Sequence, residues 1–242
     1  MNTLFSKALN CLADSFYPRL CPHCGQASDR ANCHLCWTCH ALIKLHTHSL
    51  CECCGRLIEG QVQHKFLCTT CQAKHPAFDR ARSAACYSGV LRKQIHDFKY
   101  NHALWLQEEL SDLLKACLQV HFAWEAVDVI IPVPLHPVRQ RERSYNQAEL
   151  LAENLARHID RRIEKYALHR MKYTTTQTRL DLTHRQTNIK DAFSVTRSAW
   201  IHQRCVLLID DVMTTGATLN ECARVLKKAG ARTVWALTVA RG

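Results

Sequence analysis

Hydrophobic positions follow two different rhythms along this 242-residue chain, and the change falls near residue 79. Downstream, short continuous apolar runs alternate with helical stripes. "VDVIIPVP" (127–134) and the Val206–Ile209 run are rich in branched residues, as parallel strands covered on both faces are. Prolines end the first of these, because they cannot continue a ladder. Two further strands are predicted over 82–88 and 232–240. Between them, 89–99, 102–121, 144–159 and 217–229 read as helices; the stripe of 144–159 is Ala148, Leu151, Ala152 and Leu155. Gly230 is the stop signal of the last helix. Strand–helix alternation predicts an α/β fold with a parallel, doubly wound sheet. Ligands on such sheets bind at the carboxyl ends of the strands.

Upstream the pattern gives way to cysteine. Most of the fifteen cysteines fall between Cys21 and Cys71, in a segment with few large apolar residues. The segment is a repeat: "CPHCG" then "LCWTC", followed by "CECCG" then "LCTTC". The spacing points to two closed four-thiolate zinc sites, Cys21/Cys24 with Cys36/Cys39 and Cys51/Cys54 with Cys68/Cys71. Gly25 and Gly55 stand where each turn must let backbone N–H groups face sulfur. A segment this poor in core residues needs metal to fold. Cys33 competes with the first set and Cys53 with Cys54, although the glycine after Cys54 repeats the one after Cys24. His23, His34, His40, His64 and His75 are possible substitutes for a thiolate.

Residues 1–18 form a third region. Leu4, Phe5, Ala8, Leu9, Leu12 and Phe16 make a helical stripe, interrupted by Lys7, Asn10 and Asp14. That reads as a docked amphipathic helix rather than a signal peptide. No apolar run approaches the roughly 18 residues of a membrane span. The expectation is a cytoplasmic protein whose cysteines hold metal rather than disulfides. The organisation is then an N-terminal helix (1–18), a double zinc ribbon (19–78) and an α/β domain (79–242).

Charge narrows the partners. With 32 Lys and Arg against 21 Asp and Glu, the formal net charge of +11 favours nucleic acid or phosphorylated metabolites without choosing between them. Neither G-x-x-x-x-G-K-[ST] nor G-x-G-x-x-G occurs, which disfavours a P-loop ATPase and a dinucleotide dehydrogenase.

The most informative stretch is "VLLIDDVMTTGAT" (206–218). A buried strand does not explain Asp210 and Asp211, whose charges repel. A loop of Thr214, Thr215, Gly216, Ala217 and Thr218 entering a helix offers hydroxyls, backbone N–H groups and a helix N-terminus to one anion. Acids one sugar away can accept hydrogen bonds from vicinal hydroxyls. Together they describe a ribose 5-phosphate pocket.

This motif resembles that of the type I phosphoribosyltransferases. The chain as a whole resembles the ComF family (also called GntX-like), in which a double zinc ribbon precedes a phosphoribosyltransferase domain. "IHDFKY", "IPVPLHPVRQRERSYNQAELLA" and the Arg170, Thr174, Gln177, Leu180, Arg185, Asn188 and Phe193 spacing carry the rest of the likeness. It implies phosphoribosyl pyrophosphate with magnesium as ligand. Asp210 and Asp211 would hold the ribose as the catalytic pair, residues 214–218 the 5-phosphate, and Arg139, Arg141 and Arg143 the pyrophosphate. Ser144 departs from the family's glycine and forfeits its freedom at positive φ. Residues 170–193, polar and without clear periodicity, are either a surface loop or a flap over the ligand offering Gln177, Arg185 and Asn188.

Two functions follow from the resemblance. One is a factor that handles incoming single-stranded DNA in natural transformation, alongside DNA-processing partners. Phe98-Lys99-Tyr100 and Lys172-Tyr173 could then stack on bases. The other is an active transferase that passes a 5-phosphoribosyl group to a nitrogenous acceptor. The sequence ends two residues past its last predicted strand, so a base-recognising surface is expected from the zinc-ribbon side.

Overall fold

The computed structural model describes residues 19–30, 33–47, 49–58, 60, 65–173, 189–196 and 198–242. The 1–18 segment, His64 and the flap residues Thr174, Gln177, Leu180, Arg185 and Asn188 lie outside the described residues.

The apolar runs become a five-stranded parallel sheet. Its strands are β1 (Arg80–Cys86), β2 (Val129–Pro132), β3 (Arg162–Ile163), β6 (Cys205–Met213) and β7 (Thr233–Arg241), in the order β1-β7-β6-β2-β3. β4 (Leu168–Arg170) and β5 (Phe193–Val195) form a separate antiparallel pair. The helices are α1 (Trp37–Ala41), α2 (Thr69–Ala73), α3 (Gly89–Tyr100), α4 (Gln107–His121), α5 (Pro137–Arg143), α6 (Gln147–Ile159) and α7 (Ala217–Lys228).

The central strands are continuously apolar because both faces are covered. Side chains alternate between faces along a strand. Val206 and Leu208 of β6 pack with Val129, Ile131 and Val234 and with Leu219 and Leu226 of α7. Leu207 and Ile209 pack with Ile130 and Val239 and with Phe98, Leu114 and Leu151 of α3, α4 and α6. Burying each such side chain contributes about 1.5–3 kcal/mol.

Element boundaries shift where caps decide them. The strand expected at 82–88 ends at Cys86, and Ser88 becomes the N-cap of α3. The helix expected from 102 starts as a 3-10 turn at Leu104–Leu106 and becomes α-helical at Gln107. The helix expected from 144 starts at Gln147. Ser144 sits at φ 66°, outside helical space, and the Asn146 side chain caps the helix by accepting from the Ala148 N–H at 3.1 Å. Between them lies α5, not foreseen, with Pro137 in its first turn.

The cysteine-rich segment is fastened to the sheet. Leu45 bridges Ala85 antiparallel, with His46 N–H donating to Ala84 O at 2.9 Å and Cys86 N–H to Lys44 O at 2.9 Å. The linker between the two cysteine units thus covers the free edge of β1.

Candidate functional site

Strand alternation sends the two acids of β6 to opposite faces. Asp211 follows Leu207 and Ile209 onto the α3 face, where Lys99 Nζ lies 2.8 Å from its Oδ1. Asp210 follows Val206 and Leu208 onto the α7 face, within electrostatic reach of Arg170 and Cys222. Its Oδ1 also accepts the Asp211 N–H at 2.9 Å. Burial, with the Asp211 charge adding to it, pushes the Asp210 carboxyl up to about 7 against the pull of Lys99 and Arg170. Burial alone would lower the Lys99 ammonium; Asp211 more than offsets it, and the group ends above its usual range. Lys99 thus bears on both acids but pairs with Asp211, and the Asp210 carboxyl titrates near physiological pH, where it is only partly ionised.

Beyond Met213 the chain turns into the predicted anion loop. Gly216 is the N-cap of α7 at φ 80° and makes no side-chain cap. A Cβ there would lie 2.6 Å from Met213 Cε, so only glycine fits the turn without displacing that side chain. Thr215 Oγ1 accepts the Ala217 N–H at 3.3 Å. Thr214 is exposed, Thr215, Ala217 and Thr218 are half-buried, and Gly216 is buried. Among the described residues, no bond occupies the N–H groups of Thr214, Thr215 or Gly216. Open donors on a 12-residue helix suit an anion.

The three arginines of α5 do not share one face of the helix. Arg139 and Arg143, one turn apart, share a face; Arg141 is exposed on the other side. Arg143 donates to Gln147 Oε1 and to Tyr100 Oη, both at 3.0 Å, stacks 4.8 Å from the Tyr100 ring, and repels Lys99. Arg139 lies 5.7 Å from the Tyr173 ring and within reach of Arg170. Of the aromatic residues expected to meet bases, Phe98 is fully buried in the core and cannot; Tyr100 and Tyr173 are exposed. Lys99 and Arg170 also bear on the acids. The sequence named Arg170 only in the family spacing and Lys99 only in a base-stacking stretch, because a single cation in a helix or short strand has no spacing that points to an acid.

The eight predicted thiols gather as two groups of four, Cys21, Cys24, Cys36, Cys39 and Cys51, Cys54, Cys68, Cys71, with all Sγ atoms of a group within 4.8 Å. The repeat is structural. Gly25 N–H donates to Cys21 O at 2.8 Å and Gly55 N–H to Cys51 O at 2.9 Å, with both glycines at positive φ. Leu20 bridges Ala27 as Leu50 bridges Leu57. Cys36 and Cys68 each cap a short helix that supplies the fourth thiol. Despite burial, N–H groups converging on Cys21 and Cys51 hold both thiols down at about 6. Soft, partly ionised and four to a group, these donor sets fit zinc. Cys53 and Cys33 stand outside both groups. Burial pushes the Cys53 thiol up to about 11 and raises Cys33 as well. His34 instead uses its backbone N–H on Glu109.

The phosphoribosyl transferase domain family matches residues 146–242. Competence protein F of Haemophilus influenzae is 34% identical, over 92% of this chain and 98% of its own length. DNA utilization protein YhgH of Escherichia coli O6:H1 is 32% identical, over 84% and 96% respectively. A purine phosphoribosyltransferase structure from Pyrococcus horikoshii aligns over 57% of this chain and 84% of its own, with 17% identity and a TM-score of 0.35. No helix among the described residues is long and apolar enough to cross a membrane.

Proposed function

The chain belongs to the ComF family of competence proteins, and from that premise we propose that it handles incoming single-stranded DNA in natural transformation through a pocket for phosphoribosyl pyrophosphate or a similar sugar phosphate. The observation that carries the pocket is the succession, within nine residues, of an acid pushed up to about 7, an acid paired to Lys99 and a loop with open N–H groups. The loop 214–218 takes the 5-phosphate, since the helix N-terminus favours negative charge there. Asp210 and Asp211 accept the ribose hydroxyls. Arg143, beside Lys99, is placed for a pyrophosphate better than Arg141. Magnesium, when bound with the ligand, would screen its phosphates and polarise the leaving group. The two four-cysteine groups hold structural zinc, as closed sites with no open position.

The competence reading draws on the relatives' names and on the +11 charge. Transfer of a phosphoribosyl group to a nitrogenous acceptor is the second reading, favoured by the Asp211 carboxylate lying 2.8 Å from the Lys99 ammonium. Thermal-shift titration with phosphoribosyl pyrophosphate and magnesium tests the pocket: wild type should gain stability and Asp210→Asn/Asp211→Asn should not. Single-stranded DNA binding across a salt series tests the other half. A flat salt response, or none, removes that reading.

A further inference from the structure

Arg241, the last residue of β7, is buried at 9% exposure and far in sequence from everything it touches. Its Nη1 donates to Cys54 O at 2.6 Å and to Met213 Sδ at 3.2 Å, while Nη2 approaches Cys54 Sγ at 3.9 Å. The Met213 methyl in turn occupies the space beneath Gly216 where a Cβ would lie, and Gly242 N–H donates to Met213 O at 3.1 Å. One guanidinium thus reaches from the second four-cysteine group to the floor of the anion loop. On the far side that group is seated without slack. Ala81 N–H donates to Cys53 O at 2.7 Å, Arg82 Nη1 donates to Cys51 O and Glu52 O, and a Cβ on Gly55 would collide with Ala81 O at 2.6 Å.

We propose that Arg241 is a positioning residue that couples the Cys51/Cys54/Cys68/Cys71 centre to the phosphate loop, so that metal in one and sugar phosphate in the other stabilise each other. A four-thiolate centre is anionic, and a buried guanidinium needs an anion or acceptors for its five donors. Partners beside a metal's ligands orient them. Here the orienting group is shared with a methionine whose position fixes the loop. Losing the metal frees Arg241, which frees Met213, and Gly216 loses its support. Coupling of this kind is reciprocal, since each ligand must raise the other's affinity by the same factor. The inference rests on the sugar-phosphate reading of the loop.

The test uses purified zinc-loaded full-length protein and a colorimetric chelator. Zinc release is followed with and without phosphoribosyl pyrophosphate and magnesium, alongside a direct measurement of its affinity. In wild type the ligand should slow one of the two release phases about fivefold or more. Arg241→Gln should lose that protection, and Arg241→Lys, which keeps the charge but not the fork, should restore it in part. Should Arg241→Gln fail to fold, Met213→Ala decides, because it leaves the Arg241–Cys54 contacts and removes only the link to the loop. It should hold two zinc ions per chain and show no protection. Equal protection in wild type and both variants overturns the coupling, as does a wild type that binds the ligand without any protection. A wild type that does not bind it removes the pocket reading itself, and the coupling falls with it.

Discussion

Lys99 on α3 and Asp211 on β6 meet at 2.8 Å, an ion pair three residues before the Thr214–Thr218 turn made by residues 112 positions apart. Both side chains are mostly withdrawn from water, Asp211 at 9% and Lys99 at 17%. Removing one partner of such a pair leaves the other's charge uncompensated. Lys99→Met should therefore destabilise the protein by about 3 kcal/mol, measured by urea denaturation. Lys99→Met with Asp211→Leu should recover much of the loss. A single variant as stable as wild type would show that the pair is solvated and not structural.

Asp210 makes stability fall with rising pH. Its carboxyl is pushed up to about 7 in the fold, against 3.8 in the reference state, by burial and by Asp211. The contribution of this group is complete below about pH 4. It is lost progressively up to about 7, because the unfolded chain releases a proton that the folded one retains. Asp210→Asn removes the penalty. Its melting temperature should exceed that of wild type at pH 8, by about 2–4 °C for each kcal/mol released, and the gap should close near pH 4. A constant gap across that range assigns the effect to packing instead.

Ser144 is a residue in the wrong conformation for its type. At φ 66° and ψ −12° it ends α5 in left-handed space, where a Cβ costs about 1–2 kcal/mol. Ser144→Gly should raise stability by about 1 kcal/mol, readable by denaturant titration. A neutral or destabilising result would mean that the greater freedom of the unfolded glycine chain cancels the relief.

What the sequence disclosed depended on whether the physics was local. The β6 run and its turn into α7 were legible because strand burial, two acids and a glycine-led helix start lie within thirteen residues. The cysteine grouping was legible because a Cys-x-x-Cys turn followed by glycine recurs, and the structure places Cys33 and Cys53 outside both sets. Tertiary partners were not legible. Nothing in "IHDFKY" says that Lys99 faces Asp211 while Phe98, one residue before, is buried in the core. Helix α5 was hidden for a different reason: a seven-residue helix of Pro, Val, Gln and charged residues has no apolar stripe to read.

Cysteine substitutions should sort by geometry rather than by count. Cys36→Ala and Cys54→Ala each remove one donor from a four-thiol group, so each protein should carry one zinc instead of two by metal analysis. Cys33→Ser and Cys53→Ser should keep two, since neither thiol joins a group. Cys54→Ala should cost more stability than Cys36→Ala. The Cys51 group shares a core with Ala81, Val206 and Leu208 of the sheet, whereas Cys36 sits in a small cluster with Cys21, Leu35, Cys39 and Val90. Loss of zinc on Cys53→Ser would place the second centre one residue away from the register described.

Gly216 separates the geometry of the loop from its chemistry. Gly216→Ala adds a Cβ at φ 80° and presses on Met213 Cε at 2.6 Å, the far end of a flexible side chain that can move aside. The cost to stability should therefore be modest, about 1–2 kcal/mol from the left-handed backbone alone. The cost to anion binding should be larger, because pushing Met213 aside disturbs the floor of the turn that aims the open N–H groups of Thr214 and Thr215. Gly216→Ala/Met213→Ala tests the division. Making room beneath the loop should return part of the lost stability and part of the affinity for phosphoribosyl pyrophosphate. If stability returns without affinity, the methyl acts on the anion itself and not by displacing Met213.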